Sequence, residues 1–430
     1  MYSFPLFFYT LFMPFILGAA KLFSPLHPKL RIFFKVRKDV FSKLEQTVSK
    51  LPRSTVRVWI HAASVGEFEQ ARPIIAALKE KRPNLTVFVS FLSDSGYNAR
   101  KNFPDAFAVF YLPADTAANA KKLVSLIKPD ILLLMRYDFW PNHLLEAKKF
   151  GTKLILAAAV LQRNAHYFKP VAKSFYRSIF HLFDRIYTVS ANDTMAFKQT
   201  FMCRQTETAG DPRFDQVVMR SKNTAKVDYL KPFFKNHTVL VAGSVWEKDV
   251  TTLLAAWQEL DKRPSLILVP HEVNDEKMAS LYKNLQNRSL AFMKVSSMNN
   301  KFDPEKEILV IDQTGYLLEL YSLASIAYVG GGFGVNVHNT LEPAVYGVPV
   351  LFGPRHHNSP EAEALITEGG AIVIHDEATL SAALKALTTD TIQRRKAGRL
   401  AKTFVTERTG ATAKVAESID TSLCEKPGSA

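Results

Sequence analysis

The sequence has almost no cysteine. Its 430 residues contain two, Cys203 and Cys424, far apart and in no metal-ligand spacing. A disulfide framework is excluded, which fits a reducing compartment. No Cys/His zinc pattern and no RRM-like aromatic motif occurs, which argues against nucleic acid as the partner. Internal repeats and low-complexity tracts are also absent. The first twenty residues, MYSFPLFFYTLFMPFILGAA, lack any charged side chain.

What is present is positive charge, a formal +15 on a chain that is 47% hydrophobic and 22% charged. Such a chain folds, and its length suggests two or three domains at roughly 100–200 residues each. The charge calls for an anionic partner: nucleic acid, an acidic membrane surface or a phosphorylated substrate. The uncharged start is about long enough to cross a bilayer core. Lys21, Lys29, Arg31, Lys35, Arg37 and Lys38 follow it. Charge behind an apolar segment marks the cytoplasmic side, whereas a secretory signal carries its charge in front. Pro5 and Pro14 weaken a simple span, so spanning, half-inserted and buried readings of this helix stay open.

After the basic stretch the chain alternates. Aliphatic runs at 56–60, 86–91, 108–112, 131–135, 153–159 and 185–189 read as buried strands, with helical patterns at 68–81, 117–127 and 141–150. A polar, basic stretch spans 220–235, and the alternation restarts at 238–242, 265–269, 307–311, 326–329, 348–352 and 371–374. This is the signature of parallel sheets covered by helices on both faces, an α/β chain with two Rossmann-like halves facing a cleft. A last helical stretch, about 392–423, is expected to pack back on the first half.

Two places carry chemistry. HAASVGEFEQ (61–70) sets Glu67 where a strand hands over to a helix. Ser64-x-x-Glu67 fits a capping box, and strand-to-helix turns are also where open α/β folds bind ligands. YVGGGFGVNVHNTLEP (328–343) ends a strand in three glycines before a helix expected to begin near Thr340. Glycines admit a phosphate to the backbone, and a helix N-terminus offers free amides. The spacing is not GxGxxG, so the dinucleotide fingerprint does not apply. Asn339 and Glu342 lie on one face of the first helical turn.

Taken together, HAASVGE, Phe139-Trp140-Pro141-Asn142, GDPRFD (210–215), AGSVWE (242–247), LILVPH (266–271) and residues 330–354 resemble the 3-deoxy-D-manno-octulosonic acid (Kdo) transferases over nearly the whole chain. The resemblance implies a glycosyltransferase-B architecture and an inverting transfer of Kdo from CMP-Kdo to a lipid A precursor. It implies an anchor at 1–24, a basic juxtamembrane segment at 25–54, an acceptor domain at 55–225, a CMP-sugar domain at 226–391 and a helical segment at 392–430. It places the enzyme on the anionic inner-membrane surface, facing the cytoplasm, with no cofactor, no metal and no nucleic acid. No Asp-x-Asp of the kind that holds a metal in other transferases occurs.

By the same resemblance Glu67 is the base, and Pro270, His271, Thr314, Gly315, Tyr316, Asn339 and Glu342 meet the donor. Arg213 and Ser244 are the candidates for stabilising the leaving phosphate. A helix N-terminus is expected to keep Glu67 ionised. This chain departs from the family where His271 replaces an arginine, Tyr316 a glutamate and Val160 an arginine. Arg136-Tyr137-Asp138 replaces Glu-x-Glu, and Asp211 and Arg213 replace Asn and Lys. The arginine's permanent charge and fork of donors are thus lost at 271. Two other functions remain compatible: a UDP-sugar lipid glycosyltransferase of the same fold, and a non-catalytic nucleotide-sugar-binding membrane protein.

Overall fold

The computed structural model describes residues 4–51, 55–161 and 166–424. Positions 1–3 of the expected anchor, 52–54 of the juxtamembrane segment, 162–165 of the first domain and 425–430 of the terminal segment lie outside the described residues. The chain divides into two compact units: residues up to Gln216 with those from Thr409 onward, and Val217–Arg408. The division falls at 216/217, ahead of the basic stretch where the sequence suggested a join.

Helix α1, Phe4–Phe23, opens the first unit. Almost nothing of its apolar length is buried. Leu6 is buried, and the Tyr9 hydroxyl donates to Asp115 Oδ2 at 2.9 Å. The Thr10 hydroxyl donates to Asn142 Oδ1 at 2.7 Å. Phe4, Phe7, Phe12, Phe15, Ile16, Leu22 and Phe23 are exposed. One side of α1 therefore docks and the rest stays bare, so it is not a buried core helix. Two short helices follow, α2 (Pro28–Arg37) and α3 (Val40–Val48). Arg37 ties α2 down, donating from Nε to the Leu112 carbonyl at 2.8 Å and from Nη2 to the Leu92 carbonyl at 2.7 Å.

The first unit holds a seven-stranded parallel sheet, β1 (Arg57–Ala62), β2 (Thr86–Phe91), β3 (Ala108–Tyr111), β4 (Ile131–Met135), β5 (Lys153–Ala159), β6 (Arg185–Thr188) and β7 (Thr206–Thr208). Their order is β3-β2-β1-β4-β5-β6-β7. The second unit repeats the plan with β8 (Val239–Val245), β9 (Ser265–Pro270), β10 (Phe292–Lys294), β11 (Ile308–Val310), β12 (Ile326–Val329), β13 (Val350–Phe352) and β14 (Ala371–Val373), in the order β10-β11-β9-β8-β12-β13-β14. The sequence missed β7 and β10. Each has three residues at a sheet edge, too short for a buried run to show. The strands read as aliphatic runs because both faces are covered: Val58, Ile60 and Val87 pack on one side of the first sheet, Trp59, Phe88 and Leu132 on the other.

The last helical stretch is two helices, Thr391–Thr406 and Ala411–Cys424. Gly410, at φ +116°, makes the break. The first stays with the second unit, where Gly398 lies against Gly347 so closely that a Cβ would meet the Gly347 carbonyl oxygen at 2.1 Å. The second packs Val415, Ala416, Ile419 and Leu423 onto the first sheet's core. Asp215 caps it, accepting from the Gly410 amide at 2.8 Å and the Thr412 amide at 3.2 Å.

Candidate active site

In each sheet the strand order reverses beside the first strand, between β1 and β4 and between β8 and β12. Ligands of open α/β sheets bind beyond the carboxyl ends of the strands at such points. Glu67 and Arg213 lie at that edge in the first unit. The eight donor-site candidates lie at the corresponding edge of the second.

In the first unit β1 runs out at Ala62 and helix α4, Val65–Lys81, begins. Ser64 is extended and its hydroxyl accepts from the Glu67 amide at 3.4 Å. The return half of the expected box is displaced by one residue: Glu67 Oε2 accepts from the Ala63 amide at 2.6 Å. Ser64→Ala should therefore cost about 0.5–1 kcal/mol in a melting experiment, the low end for an N-cap.

Glu67 is 7% exposed. Burial pushes its carboxyl above the ordinary range, and Asp138 pushes the same way. The Ala63 amide, His61 and Arg136 oppose this without cancelling it. The helix N-terminus therefore does not hold Glu67 below the ordinary range, because desolvation acts against it. A raised pKa makes a stronger base.

The residues that set this environment were not singled out as functional from the sequence. His61 Nε2 lies 2.9 Å from Asp138 Oδ2, and its Nδ1 lies 2.9 Å from the Ser90 hydroxyl. Trp140 donates to the same Asp138 oxygen at 3.0 Å, so Trp140 is a structural anchor. Burial alone would raise Asp138, but His61 and Trp140 bring it below the usual carboxylate range. Arg136 sits at φ +63°, donates to Gln70 Oε1 at 3.2 Å and approaches Asp211 at 4.0 Å. Asp211 in turn holds Arg213, at 2.8 Å from Nε and 2.7 Å from Nη2. Arg136 and Asp211 thus connect Glu67 to Arg213, and Arg213 is not a bare cation. The available signal was the departure at 136–138 from the family pattern.

In the second unit Ser244 bulges at φ +56° where β8 shifts register on β9. Its hydroxyl lies 2.8 Å from His271 Nδ1, just past Pro270 at the end of β9. Beyond β12 the glycines are forced by contact: a Cβ on Gly330 would meet the Ser244 carbonyl oxygen at 2.3 Å. Gly330→Ala should therefore cripple donor binding or folding of this unit, read by nucleotide titration beside a melting curve. Gly331, at φ +94°, donates its amide to the fully buried Asp249 at 2.9 Å. Asp249 also accepts from the Trp246 amide and the Tyr328 hydroxyl.

Trp246, His271 and His338 form a column, with centroids 4.4 Å apart for the first pair and 4.3 Å for the second. The Trp246 indole donates to His338 Nε2 at 2.8 Å, which leaves the His338 proton on Nδ1. Burial, followed by the neighbouring His271, pushes His338 below its usual pKa, consistent with a neutral ring. Neither Trp246 nor His338 was expected here. A cavity of about 120 Å³ opens beside Trp246, Pro270 and His271.

Asn339 Oδ1 accepts from the Leu341 amide at 3.1 Å, and Glu342 lies in the first turn of the Leu341–Ala344 helix. Arg220 stands between two carboxylates, 3.8 Å from Glu342 and 3.3 Å from Glu319. Thr314, Gly315 and Tyr316 follow β11 and precede the Leu317–Leu320 helix. Gly315 is left-handed, at φ +87°, and its carbonyl accepts from Lys226 at 3.3 Å.

Residues 35–216 match a family model described as 3-deoxy-D-manno-octulosonic-acid transferase (kdotransferase). The 3-deoxy-D-manno-octulosonic acid transferase of Aquifex aeolicus is 29% identical over 343 residues, 79% of this chain and 86% of that one. The enzyme of the same name from Haemophilus influenzae is 24% identical over 82% of this chain and 84% of its own. Among solved structures, a UDP-GlcNAc 2-epimerase from Neisseria meningitidis bound to UDP-GlcNAc superposes with a TM-score of 0.58. Its identity is 14%, covering 86% of this chain and all of that one (100%). That likeness concerns the fold, two Rossmann-like units of the glycosyltransferase-B kind.

Proposed function

We propose that this chain, which resembles the 3-deoxy-D-manno-octulosonic acid transferases over most of its length, moves Kdo from CMP-Kdo to the hydroxyl of a lipid A precursor, with inversion at the transferred carbon. The observation that carries this reading is Glu67, a buried carboxylate of raised pKa at the switch point of the first sheet. Glu67 takes the proton as the acceptor hydroxyl attacks. The bond to the CMP phosphate breaks on the opposite face. Ser244, His271 and the amides of the 330–332 loop stabilise the departing phosphate. Arg213, held by Asp211, is the first unit's candidate for offsetting the charge on that phosphate. Asn339 and Glu342 hold the nucleotide sugar. The reaction needs no metal.

The test is direct. Solubilised protein with CMP-Kdo and a lipid A precursor should give lipid products heavier by whole Kdo units. CMP should compete and UDP should not. Products from a UDP-sugar alone, or none at all, would overturn the assignment.

Helix α1 supports a membrane position at the cytoplasmic face of the inner membrane, with the basic residues 21–38 against anionic head groups. The bonds from Tyr9 and Thr10 to Asp115 and Asn142 hold the first half of α1 against the first unit's strands and helices. A helix so held lies in the interface rather than crossing the bilayer. Replacing Phe7, Phe12 and Phe15 by Ser should sharply lower recovery with membranes and leave the melting temperature unchanged. Deleting residues 1–20 should also lower the melting temperature, because Asp115 and Asn142 lose partners.

A further inference from the structure

A second cavity, about 510 Å³, lies in the first unit between α2, α3 and the outer strand β3. It touches consecutive residues Phe107 to Tyr111. Neighbouring side chains of a strand point to opposite faces, so a groove that meets all of them runs along the strand's outer edge. β3 ends its sheet, and that edge carries backbone groups with no strand partner. The floor is apolar, from Val36, Val40, Leu44 and Val109, and the rim carries Lys35, Lys43 and one carboxylate, Asp39. The nearby Glu45 is paired with Lys122 at 2.9 Å. The groove's own charges therefore leave one positive charge over a trough of mixed lining, apolar side chains beside polar groups.

We propose that this groove binds one anionic glycerophospholipid of the bilayer on which α1 lies, the phosphate between Lys35 and Lys43 and the first carbons of the chains on the apolar floor. The volume takes a head group and the start of its chains, not two whole acyl chains. Charge complementarity and position favour this occupant: α2, which lines the groove with Lys35 and Val36, follows shortly after α1 and its exposed phenylalanines in the chain. The proposal rests on the membrane reading above, and its test is independent of a bilayer.

Full-length protein in an uncharged detergent is titrated calorimetrically with dihexanoyl phosphatidylglycerol, dihexanoyl phosphatidylcholine and glycerol 3-phosphate. Phosphatidylglycerol should bind at one saturable site, at least tenfold tighter than the other two. Lys35→Ser with Lys43→Ser should weaken it about thirtyfold, given roughly 1 kcal/mol for each cationic residue near an anionic head group. Thr47→Trp, which fills the groove without changing charge, should abolish it, with melting temperatures reported for both variants. Equal binding of phosphatidylcholine, or undiminished binding by folded Thr47→Trp, would overturn the proposal. The Phe7/Phe12/Phe15→Ser variant should keep this site while losing membranes. If it kept both, the membrane reading alone would fail.

Discussion

Glu67→Gln is expected to lower turnover by about a hundredfold or more, the scale for losing a positioned general base. Glutamine keeps the size and can still accept the Ala63 amide, but it cannot take a proton. Donor affinity should barely change, since the donor candidates lie on the other sheet. Stability gives an independent reading. Glu67 is raised by burial, so the native chain holds this proton to higher pH than the unfolded chain does. The stability it supplies is full below the ordinary carboxylate pKa and is lost as pH rises through the raised one. Glutamine has no such loss, so the variant should melt at or above the parent temperature at neutral pH. In the parent, activity should rise with pH through a value above the ordinary carboxylate range. A Glu67→Gln enzyme that transfers Kdo at close to the parent rate would return Glu67 to a capping role.

Asn339→Ala and Glu342→Gln should each weaken CMP binding by roughly 1–3 kcal/mol, about fivefold to a hundredfold or more, as for hydrogen bonds to a charged or buried partner. The two should differ in how they touch the fold. Asn339 supports its own turn through the Leu341 amide, so its loss should also lower the melting temperature slightly. Glu342 faces Arg220 at 3.8 Å, and Arg220 has Glu319 as a second partner. Glu342→Gln should therefore leave melting nearly unchanged. Calorimetric titration beside a melting curve separates the outcomes. Lower melting with unchanged CMP affinity in both variants would make the pair purely structural.

The sequence by itself determined the layered plan. Aliphatic runs at 86–91, 131–135 and 153–159 coincide with β2, β4 and β5, because a strand buried on both faces must be apolar throughout. It also determined that Glu67 and the 330–342 segment follow strand ends, since glycine and capping residues mark those turns locally. Tertiary structure alone decided the rest. The raised pKa of Glu67 comes from burial first, with Asp138 adding to it and the Ala63 amide, His61 and Arg136 opposing it; His61 lies on β1, and Arg136 and Asp138 in the turn after β4. The Trp246–His271–His338 column joins turns after three different strands. Whether α1 is buried or bare was open in its composition, because an apolar helix reads the same in both cases. It was decided by Asp115 and Asn142, more than a hundred residues away, which hold one side of the helix and leave its phenylalanines exposed. Local propensity acts within a few residues, whereas desolvation and electrostatic coupling depend on what the fold brings alongside.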